Sequence, residues 1–155
     1  MAQGLRFLAI LVGVMASQLF LAPTLKIGTV RPDFVLIFLV FFSVRFGRVP
    51  GILLGFGVGF LQDLTGSLSV LGTNALVKSV VGYSLGTLSG NLAVWTPRVI
   101  NLYIYGSLVG HALLYQLMMI QGLHIPLGIV VNNILLEVFI SSIMITGMRY
   151  MVPLL

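Results

Sequence analysis

Residues 31–90, RPDFVLIFLVFFSVRFGRVPGILLGFGVGFLQDLTGSLSVLGTNALVKSVVGYSLGTLSG, decide the fold. Within this stretch Gly51, Gly55, Gly59 and Asp63 recur every fourth residue of an apolar run. After a short polar interruption Lys78, Gly82, Gly86 and Gly90 do the same. On helices each series lies along one face, so the pattern predicts two helices with small-residue stripes. Asp63, an anion at the end of such a run, requires a partner, water or a proton.

The rest of the chain sets the solvent. Of 155 residues, 59% are hydrophobic and 7% charged, whereas soluble domains carry roughly 25% charged residues. With a mean hydropathy of +1.15, the chain is expected in lipid as a single integral membrane domain over 1–155. A spanning helix takes about 20 apolar residues, so six crossings are the ceiling. The eight Lys and Arg residues are scattered singly, with no basic patch or aromatic platform for nucleic acid. There is no cysteine, which excludes disulfides and thiolate metal sites.

Working outward, spans are expected at about 5–22, 33–46, 50–64, 73–90, 99–120 and 127–148. The first opens behind Arg6 and ends at Pro23; it imitates a signal peptide, yet further spans follow directly. Pro32-Asp33 suits a helix N-terminus, with the carboxylate at the positive end of the dipole. The span behind it is short and is expected either to borrow its flanks or to sit behind other helices. Arg45 to Pro50 read as a tight basic turn. Thr65, Gly66, Ser67, Ser69, Gly72, Thr73 and Asn74 predict a broken or re-entrant connection, covered by protein or water. Trp95 and Tyr103 around Arg98 mark an interface. The fold class is therefore all-α: a six-span bundle. Arg6, Arg45, Arg48, Arg98 and Arg149 lie on one side and Lys26 and Arg31 on the other, which places both termini in the cytoplasm.

Few residues can carry chemistry. Asp63 can pair with Lys78 across the hairpin, cap the polar connection by accepting its N–H groups, or serve ion or proton transport. The glycine rows 51/55/59 and 82/86/90 can pack internally or dock a partner helix. His111 and Glu137 can form a hydrogen-bonded pair or, with Asn132 and Asn133, line a polar ligand pocket. Asp33 is expected to cap its helix at the surface. No nucleophile elbow, phosphate loop or HExxH is present, and no catalytic, metal or cofactor residues are expected.

Pro32-Asp33, Gly55-Phe56, Gly59, Asp63-Leu64, Gly66, Leu71-Gly72 and Gly82-Tyr83 together resemble the bacterial rod shape-determining MreD family. That family has a Pro-Asp/Asn opening, a Gly-Phe-x-x-Gly-x-x-x-Asp-Leu core and a later Gly-Tyr. Gly57 is an extra small position in this chain. The resemblance implies a non-enzymatic protein of the bacterial cytoplasmic (inner) membrane. Its implied partners are MreC, the MreB filament, and RodA with its class B penicillin-binding protein. It also implies a fold similar to the substrate-binding subunits of energy-coupling-factor vitamin transporters, which supplies the alternative of small-molecule capture.

Overall fold

The computed structural model describes residues 2–28, 30–65, 71–120 and 126–151. Each expected apolar run is helical: α1 (Ala2–Thr24), α2 (Phe34–Phe46), α3 (Arg48–Thr65), α4 (Thr73–Gly86), α5 (Pro97–Ile120) and α6 (Leu127–Met151). Of these, α1, α5 and α6 are long and apolar enough to cross a membrane. The chain is an all-helical membrane protein.

The short helices are the interior. At 13 residues, α2 is about 20 Å long against the roughly 30 Å of a hydrocarbon core. It does not face lipid all round: Val35, Leu36, Ile37, Leu39, Val40, Ser43 and Val44 are buried. Its side chains meet Val81, Leu85 and Leu88 of the α4 region, Ile100, Ile104 and Leu108 of α5, and Ile145 of α6 in one apolar core. On α5 the buried positions Ile100, Ile104, Leu108, His111 and Ala112 form a single stripe, as a helix packed on one side requires. α1 is the outlier. It rests on α2 through the ring of Phe7, 6.0 Å from Phe38 and 5.3 Å from Phe42, and most of its surface is free.

Several boundaries differ from the sequence reading. α1 continues through Pro23, which sits in the last turn and removes one bond there, while the Leu25 N–H still reaches the Leu21 carbonyl at 3.1 Å. The basic turn between α2 and α3 shrinks to Gly47. Its φ of 94° is costly for other residues, and its N–H closes α2 on the Ser43 carbonyl at 2.9 Å. Pro50 then falls in the first turn of α3, where a missing N–H is harmless. The fourth run is α-helical only to Gly86. Leu88–Gly90 form a 3₁₀ turn, and the Asn91 side chain donates to the Thr87 carbonyl at 2.8 Å, satisfying a group the ending helix leaves open. The expected broken connection after α3 falls largely on 66–70, outside the described residues, as does Gly66.

Candidate functional site

The two glycine rows face each other. A Cβ on Gly51 would lie 2.6 Å from the Gly82 carbonyl oxygen, on Gly55 2.7 Å from the Lys78 carbonyl carbon, and on Gly59 2.6 Å from the Asn74 carbonyl carbon. A Cβ on Gly86 would strike the backbone of Arg48. α3 and α4 therefore run antiparallel with backbone against backbone, stepping 51 on 82, 55 on 78 and 59 on 74. Such close approach is what small residues permit between membrane helices, where dispersion and weak Cα–H···O contacts replace the hydrophobic effect. Of the two readings of the glycine rows, internal packing is the one these contacts support and an open docking face is not: Gly51, Gly55, Gly59, Gly82 and Gly86 are covered by the backbone of the facing helix end. Gly90 lies beyond the α4 helix, in the 3₁₀ turn, with open space over its Cα.

Asp63 secures the end of this hairpin where α3 leads into α4. Its Oδ2 accepts the Gly72 N–H (3.0 Å) and the Ala75 N–H (3.1 Å). Its Oδ1 accepts the Asn74 N–H (3.1 Å) and the Asn74 side-chain amide (2.8 Å). The Asn74 and Ala75 N–H groups are orphan donors of the first turn of α4 and Gly72 immediately precedes it, so a carboxylate on one helix caps the next and faces its positive end. Gly72 makes the geometry possible by turning into α4 at φ 95°. A carboxylate offers about four lone-pair sites, and all are used, which leaves none for a transported cation. Replacing Asp63 by Ala orphans these donors at about 1–3 kcal/mol for each group left unsatisfied. Asp63→Ala should therefore lower folded protein several-fold in size-exclusion profiles of detergent extracts. Asp63→Asn, which keeps an acceptor oxygen, should lose less.

Lys78 does not pair with Asp63. Its ammonium, fully buried, reaches Asp33 Oδ2 at 2.5 Å and Asn74 Oδ1 at 3.4 Å. Asn74 thus stands between Asp63 and Lys78, the two charges expected to pair across the hairpin. Asp33 caps α2 as expected, its Oδ1 accepting the Leu36 N–H at 2.9 Å. It is not a surface residue, however: its side chain is 15% exposed and also takes the Gln62 amide at 3.5 Å. Asp63, Asn74, Lys78, Asp33 and Gln62 form a continuous chain of polar contacts tying α2, α3 and α4 together.

Gln18 is a residue that sequence reasoning missed. From the C-terminal third of α1 its oxygen accepts the Phe34 N–H at 2.8 Å and its amide reaches the Pro32 carbonyl at 3.4 Å. A lone amide inside an apolar run was the available signal.

His111 and Glu137 meet, Nδ1 to Oε1, at 2.9 Å, and Tyr115 stacks parallel to the imidazole at 6.3 Å. The four-residue polar pocket does not assemble. Asn132 is exposed, because five residues along a helix rotate it by about 140° from Glu137. Asn133 is half-buried one position on. Among the described residues no group of three or more His, Asp or Glu side chains could hold a metal ion.

These positions carry the motif that prompted the family resemblance, and the family model described as rod shape-determining protein MreD matches residues 2–154. The chain belongs to the MreD family. No curated protein and no solved structure matches it significantly, so the expected likeness to energy-coupling-factor subunits rests on sequence alone.

MreD membership implies a role in rod-shape determination. The MreD motif also splits in two by direction. Pro32, Asp33, Gly55, Gly59, Asp63, Gly72 and Gly82 build the hairpin and its caps. Phe56, Leu64 and Tyr83 point outward and are each more than half exposed. Phe56 stacks in parallel on Phe60 at 6.0 Å, and Tyr83 lies under the Arg48 guanidinium at 5.6 Å.

Proposed function

We propose that this chain is a non-enzymatic scaffold of the bacterial cell-elongation machinery, multi-pass in the cytoplasmic membrane. In this reading it binds MreC directly and, through MreC or beside it, helps to organise RodA, its class B penicillin-binding protein and the MreB filament for peptidoglycan synthesis. The observation that carries the reading is the division of the family motif. Its glycines and acids make a two-helix hairpin and its caps, and Phe56 and Leu64 project from that hairpin, with Phe60 between them, as an exposed apolar stripe.

The stripe is Phe56, Phe60 and Leu64, one face of α3 at four-residue spacing. With the glycine rows consumed internally, this stripe is the surface on which a membrane helix of MreC would lie. Rigid aromatic side chains are suited to anchoring such a contact. The orientation proposed is six crossings with both ends cytoplasmic, supported by five arginines at one end of the bundle against Lys26 and Arg31 at the other.

The absence of cysteine makes the test clean. Single cysteines at 56, 60 and 64 should crosslink in cells to a cysteine in the MreC membrane span. Cysteines at 135 and 139, equally exposed on α6, should not. Depletion of the chain should cost rod shape, and MreC should co-purify with it. Crosslinks at 135 and 139 with none on the α3 stripe would place the partner elsewhere. Binding of a vitamin to the purified protein without MreC would favour small-molecule capture instead.

A further inference from the structure

Between α4 and α5 a groove of about 380 Å³ opens on the outer surface of the bundle, lined by residues that include Val80, Ser84, Leu102, Tyr103, Gly106 and Gly110. Its walls are mainly apolar. Its floor on α5 is backbone, because Gly106 and Gly110 have nothing within 4 Å of where a Cβ would stand. The cations sit at one end. Arg98 lies one turn before Leu102 on the same face of α5, and both are exposed. Arg48 is held over the Tyr83 ring, and Tyr83 is one turn from Val80 on α4.

Among the described residues no carboxylate is paired with these arginines. The three acidic side chains of the chain are engaged elsewhere: Asp33 with Lys78, Asp63 on the first turn of α4, and Glu137 with His111. Arg149, at the same end, bonds the neutral Asn101 at 2.6 Å. Trp95, 5.7 Å from Tyr103 ring to ring, marks the level at which headgroups meet acyl chains.

We propose that this groove is a binding site for an anionic phospholipid, with one acyl chain against Gly106 and Gly110 and the phosphate between Arg48 and Arg98. The occupant follows from the combination of features. A protein helix would use the small-residue floor, but its apolar span supplies no charge of its own for the arginines, whereas an anionic headgroup does so by its chemistry. A zwitterionic lipid would offer the same phosphate but bring a cationic headgroup beside it, so its net charge would not offset the two arginines. Arginine forks suit phosphate oxygens geometrically as well as by charge. The inference is independent of where MreC docks, since the stripe on α3 is a different surface.

The experiment is native mass spectrometry of the full chain with dioleoyl phosphatidylglycerol or dioleoyl phosphatidylcholine added at equal concentration. The expected result is preferential retention of phosphatidylglycerol. Arg98→Gln and Arg48→Gln should each reduce that preference about fivefold, the scale of one cation near an anionic leaflet. Gly106→Leu, which fills the groove from an open position, should reduce retention of both lipids without lowering the melting temperature. Equal retention of the two lipids, or a preference untouched by both arginine variants, overturns the proposal. So does a crosslinker at position 106 that captures a membrane helix of another protein in cells in place of lipid.

Discussion

Lys78→Ala is expected to remove most of the folded protein. The substitution strands the Asp33 carboxylate, largely buried and deprived of the ammonium it pairs with. Breaking one side of a buried pair costs about 3–5 kcal/mol, against a typical total stability of about 5–15 kcal/mol. The direction can be separated from simple loss of packing. Asp33→Asn with Lys78→Met removes both charges, keeps a good helix cap at 33 and retains the apolar stem at 78, so it should recover much of the loss. Thermal midpoints of detergent-solubilised protein read both effects. A Lys78→Ala variant as stable as the parent would mean that the pair contributes nothing. The exchange Asp63→Lys with Lys78→Asp should not rescue, because an ammonium at 63 cannot accept the N–H groups of α4.

Gly55→Ala is the second large effect, and Gly57→Ala is its internal control. At Gly55 one methyl group meets the Lys78 carbonyl, which is backbone and cannot rotate aside. Overpacking of this kind typically costs 1–3 kcal/mol and more where the neighbour is rigid, so about 3 kcal/mol is expected. At Gly57 nothing lies within 4 Å of a Cβ, and alanine should gain up to about 1 kcal/mol from helix propensity. Melting curves should therefore move in opposite directions for two glycines only two residues apart. Shifts of the same sign would mean that α3 and α4 do not meet in this register.

Much of this was legible beforehand. Apolar runs placed six helices, and Pro32-Asp33 announced a cap that Asp33 makes. The equal distances of His111 and Glu137 from the turn between their helices brought them together. The partner of Lys78 was not legible, because depth alone cannot choose between Asp33 and Asp63. The choice depends on which carboxylate is already saturated by backbone donors, and that depends on the turn at Gly72. Gly57 confused the face of α3 until the contacts at Gly55 and Gly59 identified the inner row. The pocket containing Asn132 failed on rotation about the helix axis, which its five-residue spacing from Glu137 could have revealed.

The polar chain through Asn74 also has a consequence for assembly order. The clasp of Asp63 on Gly72 spans 9 residues and the Lys78–Asp33 pair spans 45, whereas His111 and Glu137 come together only after α6 has been made. Local contacts close first, and chains are made from the N-terminus. The most costly charge in the chain thus arrives when its counter-ion is already in place, and the clasp that positions it forms within the same few seconds of synthesis. α5 and α6 are then laid onto a finished hairpin. A ribosome stalled after α4 should already hold the α2–α4 unit in the membrane, with Lys78 neutralised before the second half of the protein exists.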